Sequence, residues 1–75
     1  KIINNMKIGK QMAIMSHLSD CQEMIWIEGQ EERTRMRINF VKMVLCDGKP
    51  LDHEYTTDEL DEIWKKTNEM CGINQ

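Results

Sequence analysis

The sequence lacks the features that mark membrane, secreted and phosphate-binding proteins. It has no apolar run long enough to span a bilayer and no signal-peptide pattern. It also has no phosphate-cradling glycine loop, no GxSxG element and no EF-hand loop. Its three cysteines form no CxxC pair, and an extracellular disulfide framework normally has an even number. These absences favour a protein of the cytoplasm that has no membrane association.

Aromatic residues are scarce, since the 75 residues include two Trp, one Tyr and one Phe against seven Met. A chain of this length buries only about 60% of the surface that its unfolded form exposes, so its core is marginal. Small scaffolds usually add a metal, disulfides or a second copy of themselves. We therefore expect one small helical domain over residues 1–75 that forms a homo-oligomer. The start at Lys1 leaves open that the chain is a fragment of a longer protein.

The net charge of −3 argues against general affinity for nucleic acids, which depends on lysine and arginine neutralising phosphates. The charges alternate in blocks, which are positive over residues 1–19 and 33–49 and negative over residues 20–32 and 50–64. Such blocks can align antiparallel segments within one chain or between copies. The solubility of a small protein explains them equally well.

The first segment has the spacing of an amphipathic helix. Asn4 or Asn5 can cap its start, and Gly29 suits its end. A second start at Ser19 or Asp20 is an alternative. The apolar stripe recurs at steps of three and four and comprises Ile8, Met12, Met15, Leu18, Cys21 and Ile25.

The segment TTDELDEIWKKTNEMCG, residues 56–72, has the strongest helical pattern in the chain. Thr57 is expected to cap its start, and acidic residues follow where the positive end of the helix dipole favours them. Gly72 suits its end. The preceding CDGKP, residues 46–50, has the composition of a turn. The inner stripe of this helix is expected to comprise Leu60, Ile63, Trp64, Thr67 and Cys71.

The central segment EERTRMRINFVKMVLC, residues 31–46, is compatible with two structures. From Arg33 to Phe40 polar and apolar residues alternate, which would allow a β-hairpin over residues 24–45. Beyond Phe40 the apolar residues follow a helical period instead, and two leading glutamates favour a helix start. We therefore expect an all-α fold, a helical hairpin followed by a third helix, with an α+β fold as the alternative. The side chains expected to be buried on the second helix are Met36, Phe40, Val41 and Val44.

Candidate chemistry is sparse. His17 and Cys21 stand one helical turn apart, so both could face one metal ion. The other histidine and cysteines are scattered, whereas a structural zinc site uses four ligands, usually in close pairs. Nucleophilic catalysis needs a nucleophile beside a base, and the sequence shows no such arrangement. We therefore expect no metal site, no cofactor and no enzymatic activity.

Surplus apolar surface is expected on the hairpin, because Ile27, Ile38 and Met43 do not fit the inner faces of the helices. Such surface on a short helical hairpin is typical of a dimer or partner interface. We therefore expect a small protein-interaction module or regulatory factor that self-associates and binds a protein partner. The expected anchors are the large side chains of Trp26, Phe40, Met43 and Trp64.

The alternative function is nucleic-acid recognition by residues 33–42. Two helices joined near EGQ have the order of a helix-turn-helix, and arginine and asparagine are common base readers. Arginine stems also often cover apolar surface while the charge stays in water, and the neighbouring glutamates would lie near the phosphates. We therefore rank this function second. The candidate contacts are Arg33, Arg35, Arg37 and Lys42.

Overall fold

The computed structural model describes residues 7–71 and consists of three helices and a small antiparallel sheet. The expected helical hairpin followed by a third helix is confirmed. The elements in chain order are β1 (Lys7–Gly9), α1 (Lys10–Met24), α2 (Glu31–Leu45), β2 (Glu54–Thr56) and α3 (Thr57–Met70). No helix within the described residues has both the length and the apolar character needed to cross a membrane.

Helices α1 and α2 pack side by side and are joined by residues 25–30. Gly29 in this connection has φ of +90°, a left-handed conformation that favours glycine. Glutamates occupy the first turn of α2, where the helix dipole favours negative charge. Residues 31–45 are therefore helical. The β-hairpin over residues 24–45, which the α+β alternative required, does not form. The side chains that α2 buries are Phe40, Val41 and Val44, while Met36 is half-buried.

The buried face of α1 differs from the expected stripe. Met12, Met15, Leu18 and Ile25 are between 42% and 67% exposed, so their predicted burial was wrong. The core instead takes up a neighbouring set of side chains, and only Cys21 of the stripe in α1 is buried. The Cys21 thiol lies 3.6 Å from the Thr34 carbonyl oxygen, so small residues bring α1 close to α2. The buried residues of α1 are Lys10, Ala13, Ile14 and Cys21.

Helix α3 begins with a capping box. The Thr56 hydroxyl accepts a hydrogen bond from the Glu59 N–H at 3.2 Å, and the Glu59 carboxylate accepts one from the Thr56 N–H at 2.9 Å. The cap is therefore Thr56, one residue before the expected Thr57. The inner stripe is confirmed for four of its five residues, since Thr67 is buried and Leu60, Ile63 and Trp64 pack against the core, while Cys71 is half-buried. The capping candidates Asn4, Asn5 and Gly72 lie outside the described residues.

The two strands were not foreseen. Each has three residues and directly precedes a helix, so the sheet ties the start of α1 to the start of α3. Ile8, expected in the first helix, pairs with Tyr55 in the sheet. The Lys10 N–H extends the pairing by donating to the His53 carbonyl at 2.9 Å. The central core cluster lies between this sheet and the helices and comprises Ile14, Phe40, Val41, Val44 and Tyr55.

A polar cluster of Lys10, Asp47 and Tyr55 lies beside this core. The Lys10 side chain is 2% exposed, and its ammonium donates to Asp47 Oδ1 at 2.8 Å and to the Lys49 carbonyl at 2.6 Å. The fully buried Tyr55 hydroxyl donates to Asp47 Oδ2. A cation in the first turn of a helix interacts unfavourably with the positive end of the helix dipole. The negative charge of Asp47 offsets this effect for Lys10. The polar cluster thus joins the start of α1, the turn after α2 and strand β2.

The electrostatics of this cluster favour an ionised Asp47. Burial alone raises the pKa of Asp47, but hydrogen bonds from Lys10, Tyr55 and the Lys49 N–H outweigh it and lower the pKa to about 2. Burial and the Asp47 carboxylate raise the pKa of Tyr55 well above its ordinary value. Tyr55 therefore stays protonated and remains a donor, while Asp47 remains an acceptor.

Candidate protein-interaction surface

Three consecutive apolar side chains project from the end of α1. Ile25 is 67%, Trp26 86% and Ile27 54% exposed. The backbone turns tightly here, because the Ile25 N–H donates to the Cys21 carbonyl and the Ile27 N–H to the Met24 carbonyl, both at 3.0 Å. A turn of this kind cannot direct three neighbouring side chains into one core. We call this region, residues 25–27, the hairpin tip.

A groove of about 260 Å³ opens beside the hairpin tip. Its walls come from the end of α1, the connection that follows it and the first two turns of α2, and four of the seven lining side chains are apolar. Ile38, at the far end, is 41% exposed. Ile27 and Ile38 are thus exposed, as the sequence led us to expect. The tip groove is lined by Met24, Ile25, Ile27, Glu31, Thr34, Arg35 and Ile38.

The tip groove carries both signs of charge. Glu31 and Arg35 lie about one turn apart on α2 and both line it. The Arg35 guanidinium lies 3.8 Å from the Glu32 carboxylate, and these two side chains are 59% and 66% exposed. Such exposed pairs contribute at most about 1 kcal/mol. Arg35 is therefore held only weakly within its own chain.

The other aromatic anchors lie within or against the core. Phe40 is fully buried, so it is not available to a partner and does not fit the role of an interface anchor. Trp64 is half-buried and stacks on Phe40, with the ring centres 4.2 Å apart. The outer part of Trp64 faces a shallow groove of about 180 Å³. Its other lining residues are Arg33, Met36 and Arg37.

Met43 lies in a third region of the surface, apart from the hairpin tip and from the groove beside Trp64. It is half-buried and lines an open groove of about 470 Å³ between the end of α2 and α3. The four predicted anchors are therefore not brought together in one surface. The remaining residues of this groove are Lys42, Cys46, Asp47, Ile63 and Lys66.

The four candidate nucleic-acid contacts divide between two sides of α2. At about 100° per residue, Arg33 and Arg37 project from one side, while Arg35 and Lys42 project from nearly the opposite side. Arg37 is moreover occupied, because its guanidinium donates to Asp20 Oδ2 at 2.9 Å. The structure thus presents no single basic face over residues 33–42.

His17 and Cys21, the candidate metal pair, have other contacts. His17 lies edge-on to Phe40, and its Nδ1 lies 3.1 Å from the Arg37 guanidinium. Burial and the Arg37 charge lower the pKa of His17, so the neutral ring accepts this hydrogen bond. Burial raises the pKa of the Cys21 thiol. Within residues 7–71 no three His, Cys, Asp or Glu side chains are grouped so that they could hold a metal ion.

The exposed positions on α1 were missed because two apolar stripes compete on that helix. Side-chain size alone would not have resolved them, since α1 buries the small Ala13 but also Ile14, and leaves Met12 and Met15 exposed. No protein-family model matches the chain, and no match was found among curated proteins or solved structures. The function must therefore be inferred from the surface itself.

Proposed function

We propose that the protein is a non-enzymatic protein-interaction module that binds through the hairpin tip and its groove. The observation that carries the proposal is the 86% exposed indole of Trp26, which stands between two further exposed isoleucines beside an aliphatic groove. Tryptophan is among the residues that most often dominate binding energy at protein interfaces. A contiguous apolar surface of this kind is typical of a docking site.

The chemistry of the groove favours an apolar partner segment. Met24 and the three isoleucines supply its walls, and Thr34 is its neutral polar side chain. The Thr34 hydroxyl already donates to the Gln30 carbonyl at 2.9 Å, so it is satisfied without a ligand. Burial of apolar surface contributes about 25 cal/mol per Å², and this term would drive binding here.

Nucleic-acid recognition receives less support. The cations of residues 33–42 lie on two sides of α2, and phosphate binding is strongest where cations line one surface. The free thiols of Cys21, Cys46 and Cys71 support a reducing compartment, so we keep the cytoplasm as the proposed location.

Affinity capture with matched variants tests the proposal. Wild type, Trp26→Ser and Leu51→Ser are used as baits, because Leu51 is also exposed (58%) but lies outside the hairpin tip. We expect a captured protein that wild type and Leu51→Ser retain and Trp26→Ser loses. Each candidate is then purified, and its direct binding to the three baits is measured by calorimetry. We expect the Trp26→Ser substitution to weaken binding at least ~10-fold, as for an interface hot spot.

Two results would overturn the proposal. One is a partner that binds all three baits with equal affinity, because binding would then not use the hairpin tip. The other is the absence of any direct binder together with a strictly monomeric protein at high concentration. A tight, salt-dependent complex of the wild type with DNA or RNA would favour the alternative function.

A further inference from the structure

The hairpin tip presents a projecting side chain and a recess side by side. Trp26 projects into solvent, and its chain neighbours Ile25 and Ile27 line the groove of about 260 Å³. A surface that has both parts can pair with its own copy about a two-fold axis, because each copy then supplies one indole and one groove. A partner lacking such a recess would leave Trp26 exposed.

The charges of the groove point to the same pairing. Glu31 and Arg35 line it one turn apart on one helix. In an antiparallel pairing of two α2 helices about a two-fold axis, Glu31 of each copy faces Arg35 of the other. A partner surface of a single sign would complement only one of these side chains and repel the other.

The available area sets the expected strength. Trp26 and three exposed isoleucines offer on the order of 500 Å² of apolar surface per copy, below the roughly 800 Å² per partner of a standard interface. Interfaces of this size are weak or transient. We therefore expect a reversible dimer that forms at micromolar concentrations.

We propose that the hairpin tip is occupied by a second copy of this chain, with Trp26 of each copy seated in the tip groove of the other and Glu31 facing Arg35 across a two-fold axis. The inference rests on the proposed function, since it names the partner of the same surface. The dimer buries the apolar side chains that α1 and α2 leave uncovered at this end.

Sedimentation equilibrium from 1 to 500 µM tests the dimer. We expect the wild-type mass to rise from that of one chain, 8.9 kDa, toward twice that value. Trp26→Ser should weaken association at least ~10-fold, and Leu51→Ser should leave it unchanged. A wild type that stays monomeric at 500 µM, or a dimer insensitive to Trp26→Ser, overturns the proposal.

Charge reversal tests the two-fold pairing itself. Glu31→Arg and Arg35→Glu should each weaken the homodimer, because like charges then meet across the axis. A mixture of the two single variants should associate more tightly than either alone, since each copy then meets its complement at both positions. The Glu31→Arg/Arg35→Glu double variant should recover dimerisation. Circular dichroism confirms that each variant is folded, and no recovery in the mixture and the double variant overturns the pairing.

Failure of the dimer and failure of the proposed function are distinguishable. If the wild type is monomeric but a different protein binds it directly and is lost with Trp26→Ser, only the second-copy inference fails. If neither a copy nor another protein uses Trp26, both fail.

Discussion

The hairpin tip and the Lys10–Asp47–Tyr55 cluster invert the usual distribution of polarity. At the hairpin tip, aliphatic and aromatic side chains stand in water, and Trp26 is 86% exposed. In the polar cluster, a lysine that is 2% exposed and a tyrosine that is fully buried both bond to one aspartate. The polar groups of this cluster bond to one another, whereas the apolar side chains of the hairpin tip are left in water.

The difference also shows why burial alone is a poor guide to function. Lys10 and Asp47 would attract attention as a charged pair with an altered carboxyl pKa, yet the hydrogen bonds that Asp47 accepts from Lys10 and Tyr55 each join two structural elements. The role of the polar cluster is therefore to position α1, the turn after α2 and β2 relative to one another. The side chains of the hairpin tip are exposed among the described residues, and for that reason we propose the hairpin tip for the binding role.

The largest expected effect comes from Asp47→Ala. This substitution leaves the Lys10 ammonium buried without its carboxylate, and breaking a buried ion pair in this way costs about 3 kcal/mol or more. Urea denaturation followed by circular dichroism measures the free energy of unfolding. Lys65→Ala is the matched control, because its contact with Glu62, at 4.0 Å, is exposed. Equal effects of the two substitutions would show that the polar cluster does not hold the fold together.

An intermediate effect is expected from acid. The folded pKa of Asp47, about 2, lies below the ordinary aspartate value of 3.8. The contribution of Asp47 is therefore fully present above about pH 5 and is lost as the pH falls toward 2. We expect a loss on the order of 2 kcal/mol over this range. The Asp47 carboxyl titration followed by NMR gives its pKa directly.

The control for the acid effect is Asp47→Asn, which cannot ionise. Its unfolding free energy should depend less on pH between 4 and 2 than that of the wild type. Identical pH profiles for the two proteins, or an Asp47 carboxyl that titrates near 4, would contradict the proposed electrostatics of the cluster.

The smallest expected effect is that of Trp26→Ser on the isolated chain. At low micromolar concentration the free energy of unfolding should change by less than about 0.5 kcal/mol, because the indole makes little contact with its own fold. At high concentration the proposed dimer should stabilise the wild type by mass action and should stabilise the variant less. Thermal unfolding of the wild type and of Trp26→Ser at 5 and 500 µM measures both effects. A decrease of more than about 1 kcal/mol in the free energy of unfolding at the lower concentration would show that Trp26 stabilises its own fold. It would also contradict the contrast with Asp47.

Much of α2 and α3 could be predicted from the sequence. Both helices bury apolar residues at helical spacing, and the turn between them carries the glycine that its geometry requires, since Gly48 has φ of +83°. The capping of α3 was misplaced by one residue, because Thr56 and Thr57 are equally suitable in sequence and only backbone geometry selects Thr56.

The features that could not be predicted depend on packing between segments that are distant in sequence. Strands of three residues are too short to give a periodic signal, and Tyr55 is fixed by Asp47, eight residues away. The burial of Lys10 could not be predicted either, since nothing near it in sequence indicates a carboxylate partner 37 residues later. The exposed apolar surface could be predicted in part. Ile27 and Ile38 were identified by their misfit, whereas the exposure of Ile25 was hidden by its place in a regular stripe.

The two tryptophans can serve as independent optical reporters, because Trp64 stacks on Phe40 while Trp26 is exposed. Trp64 lies 4.2 Å from the Phe40 ring in a half-buried position, so its near-ultraviolet circular dichroism should follow the integrity of the core. Trp26 stands in water, so its fluorescence should be red-shifted and should move to shorter wavelength only when the hairpin tip is covered. Folding and docking can therefore be observed separately in the unlabelled protein.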